Sequence, residues 1–247
     1  MSGTTLRREW GDCLRFLRHP VPRRLPGRVP PLTGWVSDWT GGVPATRLLG
    51  WAATLWAINL LALGPFVLAV FEQSGATHRI DVSNIPWLQA ILWAPIVEEL
   101  LFRYGLRRPA AALWMIPLLA LVLVYGLVWW ATAILAVVVL LSCWLARSVR
   151  APSAATYRWM RRYARAFPFV FHVVALAFAA AHLRNFVFDQ SVGWMMLVLV
   201  APQWVTGLVL GWLRVTRGIG AAMLLHGVFN TGPLVIAWLA LQAVGDL

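Results

Sequence analysis

Long apolar runs alternate along the chain with short clusters of arginine, and the runs set the fold class. A membrane-spanning helix needs about 20 consecutive apolar residues. Seven windows come close to or exceed that length, at about 48–71, 87–106, 109–127, 129–146, 167–184, 192–213 and 218–244. The stretch from Ala110 to Leu145 is too long for one span at ~1.5 Å per residue. It therefore divides near Tyr125-Gly126 into a helical hairpin. The pattern predicts an all-α, polytopic membrane helix bundle of about seven transmembrane helices. Residues 1–47 hold Pro20, Pro22, Pro26, Pro30 and Pro31, which argue against a long helix there. They read as an Arg/Pro-rich cytoplasmic tail, poorly ordered or lying on the membrane surface, with a short amphipathic helix over 5–18. Residues 48–247 read as a single transmembrane domain, and the first span as an uncleaved signal.

Charge orients the bundle. All 21 basic residues are arginine. Nineteen lie in 1–47, 103–108, 147–165 and 214–217, which fall on one side of a seven-span topology; only Arg79 and Arg184 fall on the other. That asymmetry predicts N-in/C-out by the positive-inside rule. It also explains the net charge of +12 without nucleic acid as a partner. The same clusters attract anionic lipid headgroups. The expected location is a cell membrane, crossed several times and taken as a prokaryotic plasma membrane. Cys13 and Cys143 have no partners in sequence that would make a disulfide framework.

Chemistry is confined to a few polar residues within the apolar runs. Seven of the nine acidic residues (Glu9, Asp12, Asp38, Glu72, Asp81, Asp189 and Asp246) fall in tails or loops. The other two, Glu98 and Glu99, are adjacent inside Ile91–Phe102, where each carboxylate costs ~3 kcal/mol to insert. Arg103 is four residues after Glu99 and shares its helix face, so these two read as a structural pair. Glu98 points about 100° away and lacks that cation, the profile of a general base. His182 closes the fifth window, and His226 and Asn230 share one face of the seventh. Glutamate, two histidines and asparagine from three helices supply the groups that activate water and hold an oxyanion. His172, ten residues before His182, reads as a helix-packing histidine, and His19 and His78 receive no role. Pro95 and Pro233 sit beside the polar residues and free backbone carbonyls there. Gly207-x-x-x-Gly211 reads as a helix-packing seam.

These residues carry a family resemblance. Glu98-Glu99-Leu100-Leu101-Phe102-Arg103 matches E-E-x-x-x-R, Phe178 to His182 matches F-x-x-x-H, and His226 to Asn230 matches H-x-x-x-N. In that order, on successive membrane helices, they resemble the CAAX-protease and bacteriocin-processing (CPBP) family of intramembrane proteases, over roughly residues 87–235. The resemblance implies that Glu98 and His182 activate water, that His226 and Asn230 form the oxyanion hole, and that Glu99 and Arg103 support Glu98. It implies no required cofactor in the glutamate mechanism. Zinc is the alternative, with Glu98, His182 and His226 as ligands. The substrate would be a peptide or membrane protein: a prenylated peptide, a leader-bearing peptide or a membrane-protein partner. The first two motifs stand about 80 residues apart, so 109–166, with the hairpin and the Arg-rich loop, looks like an insertion. Counted along its own helix, His182 falls nearer the outer end than Glu98 and His226 do. Two other classes fit the same residues: a proton-coupled transporter, in which Glu and His relay protons, and a scaffold or immunity protein that keeps the fold without turnover.

Overall fold

The computed structural model describes residues 5–22, 36–39, 43–79, 83–147, 154–188 and 193–245. Arg23, Arg24, Arg28, Arg150, Pro26, Pro30, Pro31, Asp81, Asp189 and Asp246 lie outside them. Helix α1 spans Leu6–Arg18 and the single turn α2 spans Val36–Trp39. The long helix α3, Ala45–Ser74, follows. Residues 89–106 form α4, a helical run built from a π turn at Gln89–Trp93, an α segment at Ala94–Glu98, a second π turn at Glu99–Arg103 and a 3₁₀ turn at Tyr104–Leu106. Helices α5 (Pro109–Tyr125) and α6 (Trp129–Arg147) make the expected hairpin, divided at Gly126, whose φ of 75° only glycine adopts cheaply. Helix α7 is Ala154–Ala181, α8 is Met195–Arg217 and α9 is Ile219–Gly245.

Every predicted window thus holds a helix. Among the described residues, four helices are long and apolar enough to cross a membrane: Ala45–Ser74, Arg158–Asn185, Met195–Arg217 and Ile219–Ala243. Pro109–Tyr125 and Trp129–Leu145 are shorter apolar helices. The protein is a polytopic, all-helical membrane protein. One boundary needs correcting. The predicted basic loop at 147–165 is helical from Ala154 onward, so Arg158, Arg161, Arg162 and Arg165 ride on the first turns of α7.

Helix α8 lies at the centre, in contact with α1, α3, α7, α9 and the end of α4. Its buried face, Val209 to Val215, joins Trp51, Leu55, Phe167, Phe171 and Leu225 in one core cluster. A second cluster joins α4 to the hairpin through Val97, Leu100, Met115, Leu119 and Val138. The glycine seam receives aromatic rings: a Cβ at Gly207 would stand 3.1 Å from Phe178, and one at Gly211 2.8 Å from Phe171. Phe171 and Phe178 are seven residues apart on α7 and so share a face. On the α3 side, Asn59 donates to the Thr206 hydroxyl of α8 at 2.9 Å.

The N-terminal segment is more than a surface tail. Cys13 and Phe16 of α1 are buried, and Phe16 meets Phe171 edge-on at 5.2 Å. Glu9, also buried, accepts from Trp51 Nε1 at 3.1 Å and pairs with Arg217 at 2.9 Å. His172 has the packing role expected of it, its Nε2 lying 3.2 Å from the Leu17 carbonyl. Turn α2 docks where α8 meets α9. There Gly218 and Gly220 leave room for the carbonyls of Asp38 and Trp39; a Cβ at Gly220 would lie 1.6 Å from the Trp39 oxygen. Asp38 bonds Arg214 at 2.6 Å and Arg107 at 3.2 Å. Arg214 in turn donates to the carbonyls of Arg103 and Tyr104, at 3.1 and 3.2 Å, holding the end of α4. Burial alone would raise the Asp38 carboxyl. The guanidinium of Arg214, with Arg107 and Arg108 beside it, outweighs that and holds it below its ordinary value.

Candidate functional site

Broken helix geometry creates the site. In the first π turn of α4 the Ala94 N–H donates to Gln89. The next donor in that pattern would come from position 95, which is proline and has no N–H. The Ala90 carbonyl is thereby freed, and Asn230 of α9 donates its Nδ2 to it at 2.9 Å. Helix α9 can come this close because position 227 is glycine: a Cβ there would stand 2.7 Å from the Ile91 oxygen.

The same approach brings the three motifs together. His226 projects between the two glutamates, with Nδ1 2.9 Å from Glu99 Oε1 and Nε2 3.7 Å from Glu98 Oε2. From the end of α7, His182 presents its Nε2 3.9 Å from the same Glu98 oxygen. The expected mismatch in depth does not arise. Helix α7 begins at Ala154, well before the predicted start, so its residue count was no guide to where His182 ends up.

Hydrogen bonding orders the rings. The Phe178 carbonyl can only accept, so His182 donates to it through Nδ1 (2.9 Å) and turns a lone pair at Nε2 toward Glu98. Glu99 is paired with Arg103, as the spacing predicted, and also accepts from His226 Nδ1. This second contact was not foreseen. Sequence spacing gives neighbours on one helix, whereas the His226 contact depends on how α9 crosses a π turn. Glu99 Oε2 and Arg103 Nη2 have no hydrogen-bond partner among the described residues. Phe178 fills the space between these groups. The Arg103 guanidinium stands 3.9 Å over its ring centre, and its edges meet His182 and His226 at 4.6 and 5.7 Å.

Exposure separates the roles of the two carboxylates. The Glu98 and His182 side chains keep 14% and 15% of their surface, whereas Glu99 has none and His226 only 3%. Glu98 and His182 are therefore partly accessible, and Glu99 is enclosed. His78, given no role from sequence, comes near from a two-residue strand, β1 (Thr77–His78), paired antiparallel with β2 (Phe186–Val187). Its ring packs edge-on against Phe186 at 5.2 Å, and burial, then the neighbouring His182, push it below its ordinary value. No signal in the spacing of His78 pointed to this.

The gaps of 3.7 and 3.9 Å around Glu98 exceed a direct hydrogen bond. Among the described residues no group of three or more His, Cys, Asp and Glu is spaced to hold a metal ion.

With this geometry in view, comparison with known proteins is decisive at the level of family. The sequence profile described as type II CAAX prenyl endopeptidase Rce1-like matches residues 82–232. The match covers more than half of the chain and all three motifs, and the chain belongs to that family. Searches of curated proteins and of solved structures return no match. The Glu–His pairs, one fully buried and two partly so, are in keeping with a protease-type site inside a membrane bundle.

Proposed function

We propose that the protein is an intramembrane endopeptidase that cleaves a membrane-associated peptide, prenylated or leader-bearing, or a membrane-protein partner, by general-base activation of water. One observation carries the reading: two acceptors, Glu98 Oε2 and the lone pair on His182 Nε2, face each other 3.9 Å apart. A water lodged to one side of both donates one hydrogen to each and keeps a lone pair on oxygen for the scissile carbonyl. Glu98 takes the proton as the C–O bond forms, then returns it to the departing amine as the C–N bond breaks. The products are a carboxylate and an amine. His226, in its doubly protonated form, and the second N–H of Asn230 hold the oxyanion. Glu99 and Arg103 fix His226 and the helix around Glu98.

No cofactor enters these steps. If zinc served instead, Glu98, His182 and His226 would be its ligands, and a chelator would stop turnover. The topology that goes with this reading is seven spans, N-in/C-out, with the nineteen clustered arginines on the cytoplasmic side. Reporter fusions at residues 1–47 and at the C-terminus check it, and a cytoplasmic C-terminus would overturn it. The function is tested by incubating purified protein with a peptide library that includes prenylated peptides, beside Glu98→Gln and with a chelator. Cleavage that survives the chelator and vanishes in folded Glu98→Gln is expected. Full activity in Glu98→Gln would end the glutamate-base mechanism.

A further inference from the structure

We propose that the cleft between α5, α6 and α7, at the Arg-rich end of the bundle, is a binding site for an anionic phospholipid. The cleft has a volume of about 660 Å³ and is lined by Arg107, Arg108 and Arg161 together with Trp114, Trp159 and Tyr163. Its polar and apolar parts are laid out for an amphiphile. The Trp159 and Tyr163 rings stack in parallel at 5.8 Å, and the Tyr163 hydroxyl donates to the Leu106 carbonyl at 3.0 Å, which fixes this aromatic wall. Leu145 and Met160 also line the cleft and are exposed on the outer surface of the bundle, where acyl chains lie.

Charge selects the headgroup. Arg107 and Arg108 share the Asp38 carboxylate, at 3.2 and 3.9 Å, with Arg214. One carboxylate cannot neutralise three guanidinium groups, and Arg161 adds a fourth on an exposed turn of α7. Over the Arg-rich segments as a whole the imbalance is the same: nineteen arginines, these four included, stand against Glu9, Asp12 and Asp38. A basic cleft between membrane helices, rimmed by Trp and Tyr, is the arrangement that takes an anionic headgroup from the adjoining leaflet. A phosphate bridging Arg108 and Arg161 would offset part of this charge while its chains run past Leu145 and Met160. The site involves neither Glu98 nor the histidines, so it stands whether or not the protein is a peptidase.

The test uses the full-length protein in detergent, with bound lipid counted by native mass spectrometry. Phosphatidylglycerol, phosphatidylcholine and glycerol phosphate are offered to wild type, to Arg108→Gln/Arg161→Gln, to Trp159→Ala, and to Arg162→Gln/Arg165→Gln, which removes two charges outside the cleft. Wild type should retain phosphatidylglycerol over phosphatidylcholine by about ten-fold or more, from two arginines at a membrane surface. That preference should vanish in Arg108→Gln/Arg161→Gln, fall in Trp159→Ala, whose charges are intact, and persist in Arg162→Gln/Arg165→Gln. Equal retention of both lipids by wild type would overturn the proposal. So would equal losses in the two arginine doubles, which would mean diffuse surface charge. Glycerol phosphate that displaces the lipid at equal concentration would show a free-anion site and overturn it as well.

Discussion

Nδ1 of His226 lies 2.9 Å from Oε1 of Glu99, the same oxygen that Arg103 meets from the other side. An ionised carboxylate only accepts, so this contact places a hydrogen on Nδ1 and turns Nε2 toward Glu98. Glu99 thus sets the orientation of His226 from behind the site, without reaching a substrate. The amide of Glu99→Gln carries no charge and could offer either oxygen or nitrogen to the ring, so it would no longer hold the doubly protonated ring in place. We expect kcat to fall on the order of 10²–10⁴-fold, with KM little changed, when normalised to folded protein. Steady-state cleavage assays check this. An unchanged kcat would remove Glu99 from the orientation of His226.

The same pair carries stability. Glu99 and Arg103 are almost wholly buried, at 0% and 1% side-chain exposure. Removing one charge strands the other, at a cost of about 3–5 kcal/mol. Glu99→Gln should therefore melt earlier in detergent, and adding Arg103→Leu should recover part of the loss. A double variant no more stable than the single would show that the pair is not coupled.

Asp38 should prove as important as any residue of the bundle interior, although it lies outside the matched family region. Asp38→Asn leaves the fully buried Arg214 without its carboxylate, and a loss of about 3–5 kcal/mol is expected. Gly220→Ala should act alike, since its methyl would collide with the Trp39 carbonyl and displace α2. The Asp38 carboxyl is held low in the folded protein. Its stabilisation is therefore complete above the unfolded value of about 3.9 and is lost as pH falls through the lower folded value. Melting curves of wild type and Asp38→Asn should differ at neutral pH and converge in strong acid. A constant gap across that range would contradict the assignment.

Cys13 should be chemically silent until the protein unfolds. Burial, and then Asp12 beside it, push its thiol up to about 12, so almost no thiolate forms at pH 8. A Cys143→Ala variant should take up maleimide only after denaturation. Rapid labelling of the native form would mean that α1 does not pack as described.

Much of this was legible in the sequence, for definite reasons. Apolar runs near 20 residues leave little choice but helices, and glycine at 126 marks the hairpin. The four-residue spacing of Glu99 and Arg103 was enough to pair them. The seam at Gly207 and Gly211 announced close packing, though not that Phe178 and Phe171 would fill it. What escaped were contacts between segments far apart in sequence and without shared periodicity. Asp38 read as a loop carboxylate, because nothing near it in the chain shows that Arg214 waits 176 residues away. The link between His226 and Glu99 escaped because α4 departs from regular α geometry at that point. The start of α7 was misplaced because its first turns are rich in arginine and resemble a loop.

Pro95 has a consequence for mutational tolerance. The bond that ties α9 to α4 ends on the backbone oxygen of Ala90, which every amino acid possesses. Replacing the side chain at position 90 cannot delete that acceptor, and a genetic screen would pass over the position. Control rests five residues downstream. Pro95→Ala would restore an N–H able to reclaim the Ala90 oxygen for its own helix, and Asn230 would lose its tether. The heritable information for this junction is thus carried by the absence of one hydrogen atom, five residues along the chain from the oxygen it leaves free.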